Sequence, residues 1–321
     1  MPGCVVNEET EIARRMSNQP LVSIGLPTFN RAATLERAIE SSLSQDYQNL
    51  ELVIFDNAST DDTEATCLAA AQKDHRVKYF RRPTNLGMVS NFCDVLDHSS
   101  GEFFMWLGDD DWIDPSYVGR CLEVLNKHSD YALVSGEAKY YEDDRLMFEG
   151  ERIELLQQSG ADRVLAYYER VLSNGIFYGL MRRGQINSAW IRNELGGDWH
   201  VIAAMAFKGK ITTIGDITVS RSHSASRTMK GAIETLGISN MHSYAPTLSI
   251  ALNACRDIAW RSSAFDSLSR GERFALARRV LAVFNRRFFK PYWWTALYPY
   301  WTRPILLAIS LRNKIRKRNF D

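Results

Sequence analysis

Short apolar runs that end in polar loops and lead into helical repeats recur through the first third of this chain, and that alternation most limits what it can fold into. Leu21-Val22-Ser23-Ile24-Gly25-Leu26 closes at Pro27, and Leu35, Ala38, Ile39 and Leu43 then recur at helical spacing between Ala33 and Ser44. Glu51-Leu52-Val53-Ile54-Phe55 breaks at Asp56-Asn57-Ala58-Ser59-Thr60, where Asp61 and Glu64 are placed as N-cap and partner for a helix through Gln72. A strand at Val77 to Phe80, a helix from Val89 to Asp97 and a strand from Glu102 to Leu107 continue the series. Strand, loop and helix in repetition predict an α/β fold, a mostly parallel sheet with helices on both faces.

Such sheets bind ligands outside the carboxyl ends of their strands. Pro27-Thr28-Phe29-Asn30-Arg31, Asp56-Asn57 and Asp109-Asp110-Asp111 each follow a predicted strand and are expected to converge on one crevice. Three adjacent carboxylates repel one another, so the triplet calls for a divalent cation or a cationic substrate; an acidic turn is the plainer alternative. No Gly-x-Gly-x-x-Gly follows the first strand and no Gly-x-x-x-x-Gly-Lys-Ser/Thr is present, which leaves neither a dinucleotide cradle nor a P-loop. A cation bridging diphosphate oxygens would supply the missing counter-charge, which points to a nucleoside diphosphate conjugate.

With 321 residues, 45 % of them hydrophobic, the chain can hold one large domain or a domain with an appendage. Five scattered cysteines without a Cys-x-x-Cys pair argue against a disulfide framework or a zinc site and fit a reducing cytoplasmic compartment. Residues 1–19 are polar, lack the apolar core of a secretory signal and are expected to be a disordered leader. The net charge of +1 hides an asymmetry: Arg256 to Asp321 holds 15 Lys+Arg against 4 Asp+Glu, or +11, and the rest holds 24 against 34, or −10. Within that basic end, a cationic amphipathic helix is expected over 271–290. Pro291-Tyr292-Trp293-Trp294, Tyr298-Pro299-Tyr300-Trp301 and Lys314-Ile315-Arg316-Lys317-Arg318 follow. Aromatics flanked by cations match an interfacial segment on an anionic membrane better than a spanning helix, which Arg303 and two prolines interrupt. A helical subdomain packed on the core is the competing expectation.

Four motifs in order carry a resemblance: Val22 to Arg31, Leu52 to Thr63, Asn85-Leu86-Gly87-Met88-Val89-Ser90-Asn91-Phe92, and Gly101 to Trp112. Over Leu21 to Thr228 the chain resembles the inverting family 2 glycosyltransferases with the GT-A fold. The resemblance implies a catalytic domain over 20–228 and a helical C-terminal region over 229–321. It implies that Asp56 reads the nucleobase, that Pro27, Phe29, Arg31 and Asn57 line the donor pocket, and that Asn85 and Gly87 belong to a loop closing over the donor. Asp109 matches a ribose contact, Asp110 the principal ligand of a Mn²⁺ or Mg²⁺ ion, and Asp111 an auxiliary ligand.

Inverting transfer needs one general base. In the segment Gly196-Gly197-Asp198-Trp199-His200 the resemblance gives that role to Asp198, with helix capping as the structural alternative and His200 as a weaker rival. Gly197 stands where relatives often carry an acid. In Ser220-Arg221-Ser222-His223-Ser224, His223 is a candidate metal ligand or a plain loop histidine, Arg221 a candidate phosphate contact, and 224–237 a candidate lid. Tyr167, Tyr168, Asn174, Phe177 and Tyr178 are suited to stacking on an acceptor sugar. The expected partners are a UDP- or dTDP-linked sugar, a glycan or polyprenyl-linked acceptor and the inner face of the cytoplasmic membrane, with no nucleic acid. A nucleotidyltransferase would need a Gly-rich basic first loop, which Pro27-Thr28-Phe29-Asn30 is not. A non-catalytic nucleotide- or membrane-binding scaffold is the remaining alternative.

Overall fold

The computed structural model describes residues 19–223, 233, 236, 237 and 245–289. The chain divides into two compact units, one of Met1–Arg192 with Asp198–Ser222, the other of Asn193–Gly197 with His223–Asp321.

The first unit begins with the predicted alternation: β1 (Val22–Thr28), α1 (Ala32–Leu43), β2 (Leu50–Asp56), α2 (Thr63–Lys73), β3 (Val77–Arg81), α3 (Met88–Asp97) and β4 (Phe103–Trp106). Every residue of β1, β2 and β4 is buried, because helices cover both faces of these strands, and the sequence accordingly shows unbroken apolar runs. β1 pairs in parallel with β2 and β4, setting Thr28 beside Asp56 and Gly25 beside Trp106, so the loops after these strands leave the sheet at one edge. Gly25 is required there, since a Cβ would lie 2.8 Å from the Phe104 ring.

The unit continues with β5 (Trp112–Ile113), α4 (Tyr117–Lys127), β6 (Tyr131–Glu142), β7 (Arg145–Glu149), β8 (Glu154–Leu155), α5 (Gly160–Arg170), β9 (Leu180–Arg182), α6 (Gly197–Lys208) and β10 (Lys210–Ser222). The sheet order is β3-β2-β1-β4-β9-β6-β10-β5, with β7 on β6 and β8 on β10. β3-β2-β1-β4 and the long β6–β10 pair are parallel, while β9 is antiparallel to both of its neighbours and joins the two halves. The long β10 bulges between Thr213 and Thr218.

One capping expectation is corrected. Helix α2 starts at Thr63 behind Asp62, and Asp61 instead accepts the backbone N–H groups of Thr63 (3.1 Å) and Ala32 (3.2 Å), tying the second loop to α1. Glu64 lies 3.3 Å from Arg81 rather than closing a capping box.

In the second unit, α7 (Pro246–Arg256) and α8 (Arg270–Phe284) are the described α-helices. Helix α8 opens on a capping box between Ser269 and Glu272, buries Leu276, Ala277, Val280, Val283 and Phe284, and widens into a π-helical turn over Asn285–Phe289 where one continuous helix was expected. Among the described residues no helix is long and apolar enough to cross a membrane. Nearly all of the predicted leader and lid, and the aromatic, cationic run after residue 290, lie outside the described residues.

Candidate functional site

The loops after β1 and β2 are fused by side chains. Asn30, at φ 52°, donates its N–H to Ser59 Oγ (2.9 Å) and accepts from the Thr60 N–H (2.8 Å), while the Arg31 N–H reaches Thr63 Oγ1 (2.9 Å). A left-handed backbone suits asparagine better than most side chains. Asp56 is fully buried at the end of β2. Its Oδ1 accepts from Ser59 N–H (2.8 Å) and Ser59 Oγ (2.6 Å), its Oδ2 from Tyr79 Oη (3.0 Å), and Arg81 Nε lies 3.4 Å away. Burial, followed by this carboxylate, raises the Tyr79 phenol well above its ordinary range.

Asn57 clamps the loop ahead of α3. Its Nδ2 donates to Asn85 Oδ1 (2.8 Å) and to the Gly87 carbonyl (3.1 Å), and its Oδ1 accepts from the Leu86 N–H (3.0 Å). Gly87 sits at φ 87°, a conformation that favours glycine. Leu86, 56 % exposed, and Phe29, 40 % exposed, present apolar surface at this end of the sheet, whereas Pro27 is buried within β1.

The acidic triplet follows β4. Asp109 faces Arg31 at 3.5 Å; burial and then the neighbouring Asp110 charge push its carboxyl up to about 7 against the pull of Arg31. Asp110 is half-buried. Asp111 is sealed from solvent and accepts from the Ser222 N–H (3.0 Å) and Arg221 Nε (3.4 Å). Arg221 in turn lies over the Tyr178 ring, 4.1 Å from its centroid, and donates to Tyr140 Oη (3.1 Å). The guanidinium expected to meet phosphate is thus engaged inside the protein. A Cβ on Gly108 would fall 2.6 Å from Asp111 Oδ2, so the turn into the triplet requires glycine. Among the described residues no group of three or more His, Cys, Asp and Glu side chains is set to hold a metal ion, and His223 falls in the second unit.

On the other side of β9, Asp198 occupies the first turn of α6 as an exposed residue whose carboxylate turns inward, where buried Asn174 donates its Nδ2 to Oδ2 (2.8 Å). Crowding by protein raises the Asp198 carboxyl above its usual range, opposed by hydrogen bonds from Asn174 and the Trp199 N–H and by the Arg221 charge. His200, the rival base, is buried with Nδ1 3.1 Å from Tyr168 Oη.

The expected sugar-stacking set is corrected. Tyr167, Tyr168, Asn174, Phe177 and Tyr178 are all buried; Phe177 lies flat on Trp106 at 4.8 Å between centroids, and Tyr178 carries Arg221. Tyr79, Arg81 and Tyr140 had no flag in the sequence, since alternate strand positions say which face a side chain takes but not which loop it meets.

The model for glycosyl transferase family 2 matches residues 23–187, 165 of the 321 in the chain. The chain belongs to glycosyl transferase family 2. The family resemblance drawn from the four motifs is therefore correct, and the family is one of enzymes. Among its relatives is the Campylobacter jejuni GalNAc(5)-diNAcBac-PP-undecaprenol beta-1,3-glucosyltransferase, 29 % identical over 195 residues, which are 60 % of this chain and 61 % of that one. The Escherichia coli putative colanic acid biosynthesis glycosyl transferase WcaA is 28 % identical over 162 residues, 50 % of this chain and 58 % of its own. The chain thus spans about three fifths of the length of these relatives. The fold is also that of S. aureus TarS in complex with UDP-GlcNAc, with a TM-score of 0.61 at 14 % identity over 90 % of this chain and 79 % of that one. The mannosyltransferase PcManGT from Pyrobaculum calidifontis, in complex with GDP-Man and Mn²⁺, aligns with a TM-score of 0.51 at 16 % identity over 96 % and 94 %. Family and neighbours together make the fold GT-A.

Proposed function

We propose that this chain transfers a sugar, with inversion, from a UDP- or dTDP-linked donor to a hydroxyl of a glycan or polyprenyl-linked acceptor. The carrying observation is the clustering at one sheet edge of the Asp56–Ser59–Tyr79 network, the Asn57 clamp on Asn85 to Gly87, and the Arg31–Asp109 pair. Asp56 is held rigidly enough to read a base edge, Asn85 and Gly87 are positioned to close on the donor, and Arg31 and Asp109 to meet ribose and phosphate. Pro27 supports this wall from within β1, and Phe29 offers an apolar face. The TarS complex with UDP-GlcNAc supports a uridine donor, the PcManGT complex keeps guanosine in the panel to be tested, and the C. jejuni relative supports a lipid-linked acceptor.

The donor set fits a hard divalent cation, Mn²⁺ or Mg²⁺. The Asp110 charge acts on the Asp109 carboxyl, and an ion of this kind is commonly held by one or two carboxylates together with substrate phosphates. Asp110 is the proposed principal ligand, with Asp111 auxiliary from its place against Ser222 and Arg221. Held there, such an ion would supply positive charge against the departing diphosphate. Asp198 takes the acceptor hydroxyl proton as that oxygen attacks the anomeric carbon opposite the leaving group.

The second unit supports contact with an anionic membrane surface on the cytoplasmic side. Trp260 and Phe274 are 60 % and 51 % exposed with ring centroids 5.9 Å apart, and Phe274, Arg278 and Leu281 share one strip of α8. The test of the proposed chemistry is nucleoside diphosphate release from a panel of UDP-, dTDP- and GDP-sugars, with Asp198→Asn as control. Release that Asp198→Asn abolishes while nucleotide binding persists supports it. Absence of nucleotide binding overturns it in favour of a non-catalytic scaffold.

A further inference from the structure

The turn between α5 and β9 has one feature that core packing does not need. Asn174 is 2 % exposed and left-handed, with φ 51° and ψ 36°. Behind it, Glu151 accepts the N–H groups of Leu172 (2.9 Å), Ser173 (3.1 and 3.0 Å) and Asn174 (3.0 Å) together with Ser173 Oγ (2.6 Å). Tyr140 Oη donates to the Ser173 carbonyl (3.2 Å), and a Cβ on Gly175 would meet the Ala138 methyl at 2.2 Å. The backbone of residues 172–175 is therefore pinned from two sides. What it presents is one amide: Tyr167 Oη donates to Asn174 Oδ1 (2.7 Å), and Asn174 Nδ2 donates to Asp198 Oδ2 (2.8 Å).

We infer that Asn174 is a positioning residue for Asp198, aiming its carboxylate and keeping it ionised, with Tyr167 fixing which way the Asn174 amide faces. The chemistry allows one orientation. A carboxylate accepts only, so the amide must turn its NH₂ to Asp198; Oδ1 then faces Tyr167, whose hydroxyl can donate. An asparagine in a left-handed turn also costs backbone energy that persists only where its surroundings over-determine it.

The charged groups around Asp198 leave this role to Asn174. Arg221 at the end of β10 also favours the ionised form, but it is engaged by Asp111 and Tyr140. Glu151 is taken up by the turn, and His200, on the same helix as Asp198, faces Tyr168. Crowding by protein pushes the Asp198 proton affinity up, and a hydrogen bond to the charged form opposes it. A base whose pKa climbs is protonated over more of the working range, so loss of Asn174 moves the acid limb of activity to higher pH.

The inference rests on Asp198 being the base, and one experiment separates the two. The ¹³C carboxyl resonance of Asp198 in the full chain, identified by its loss in Asp198→Asn, is titrated with acid in wild type, Asn174→Gly and Tyr167→Phe. Glycine keeps the left-handed backbone and removes only the amide. The Asp198 midpoint is expected to rise by about one pH unit in Asn174→Gly, the size of one hydrogen bond to a charged group, and by less in Tyr167→Phe. Stabilisation by UDP is expected to stay at the wild-type level in both. An unmoved midpoint in a folded Asn174→Gly protein overturns the inference whatever the turnover. Turnover surviving in Asp198→Asn overturns the base assignment instead.

Discussion

Arg221 and Asp111 meet at 3.4 Å where the first is nearly and the second wholly sealed from solvent, 11 % and 0 % side-chain exposure. The pair ties the end of β10 to the acidic turn after β4. Removing one partner of a buried pair strands the other charge, at about 3–5 kcal/mol. Arg221→Ala and Asp111→Ala are each expected to lose that much stability in denaturant unfolding. Arg221→Lys is expected to recover little, because a single ammonium cannot serve Asp111, Tyr140 and the Tyr178 ring at once as the broad guanidinium does. Losses under about 0.5 kcal/mol, the scale of ordinary surface changes, would contradict this reading.

Glu51 is expected to give the fold an acid-sensitive joint. Buried at the start of β2, it accepts from Ser23 Oγ (2.5 Å), the Ser100 N–H (2.7 Å), Ser100 Oγ and Lys78 Nζ. Burial works to raise its carboxyl, but the bonds from Lys78, Ser23 and Ser100 outweigh burial and hold it below the ordinary range. A lowered folded pKa gives stability that is full above the unfolded value of about 4.3 and fades as pH falls through the folded value. Glu51→Gln should therefore be less stable at neutral pH by about 2 kcal/mol, the worth of a charged hydrogen bond, with the gap closing in acid. A gap independent of pH would exclude the ionised carboxylate as its source.

Asn57 acts on loop order rather than on the core. With its amide gone, Asn85, Leu86 and Gly87 lose their shared anchor. Asn57→Ala is expected to weaken UDP binding about tenfold, the equivalent of 1.4 kcal/mol, measured by calorimetry. Gly87→Ala has open space for a Cβ, so its cost is conformational alone, about 1–3 kcal/mol at φ 87° and ψ 164°, a region essentially confined to glycine. Wild-type affinity in Asn57→Ala would remove the loop from the donor site.

For the membrane surface, Trp260→Ala with Phe274→Ala is expected to reduce co-sedimentation with phosphatidylglycerol vesicles several-fold and to leave UDP binding unchanged. Loss of two exposed rings removes interfacial area without touching the buried face of α8. Unchanged co-sedimentation would take this strip out of the contact.

Strands β1, β2 and β4 were legible because they are covered on both faces and read as unbroken apolar runs, so the pattern of strand ends alone brings their loops together. The capping role given to Asp61 went wrong because its two oxygens serve Thr63 and Ala32, and the second opens a different helix, α1. Tyr167, Phe177 and Tyr178 carry no mark that separates a ring in the core from a ring facing a sugar. Asn174 looked like a sugar contact; its role depends on Tyr167 and Asp198, 7 and 24 residues away in the chain. Pairings of that reach leave no periodic trace in a sequence.

The most direct test of the donor site is thermal stabilisation of the full chain by UDP, dTDP and GDP, with and without Mn²⁺, in wild type and Asp110→Ala. At about a hundredfold its Kd a ligand adds about 2.7 kcal/mol, a shift of several degrees in a protein of this size. The predicted result is stabilisation by UDP or dTDP that needs Mn²⁺ and disappears in Asp110→Ala. Stabilisation by no nucleotide, or by all of them equally with Asp110→Ala unaffected, would contradict a metal-assisted nucleotide-sugar site at this edge of the sheet.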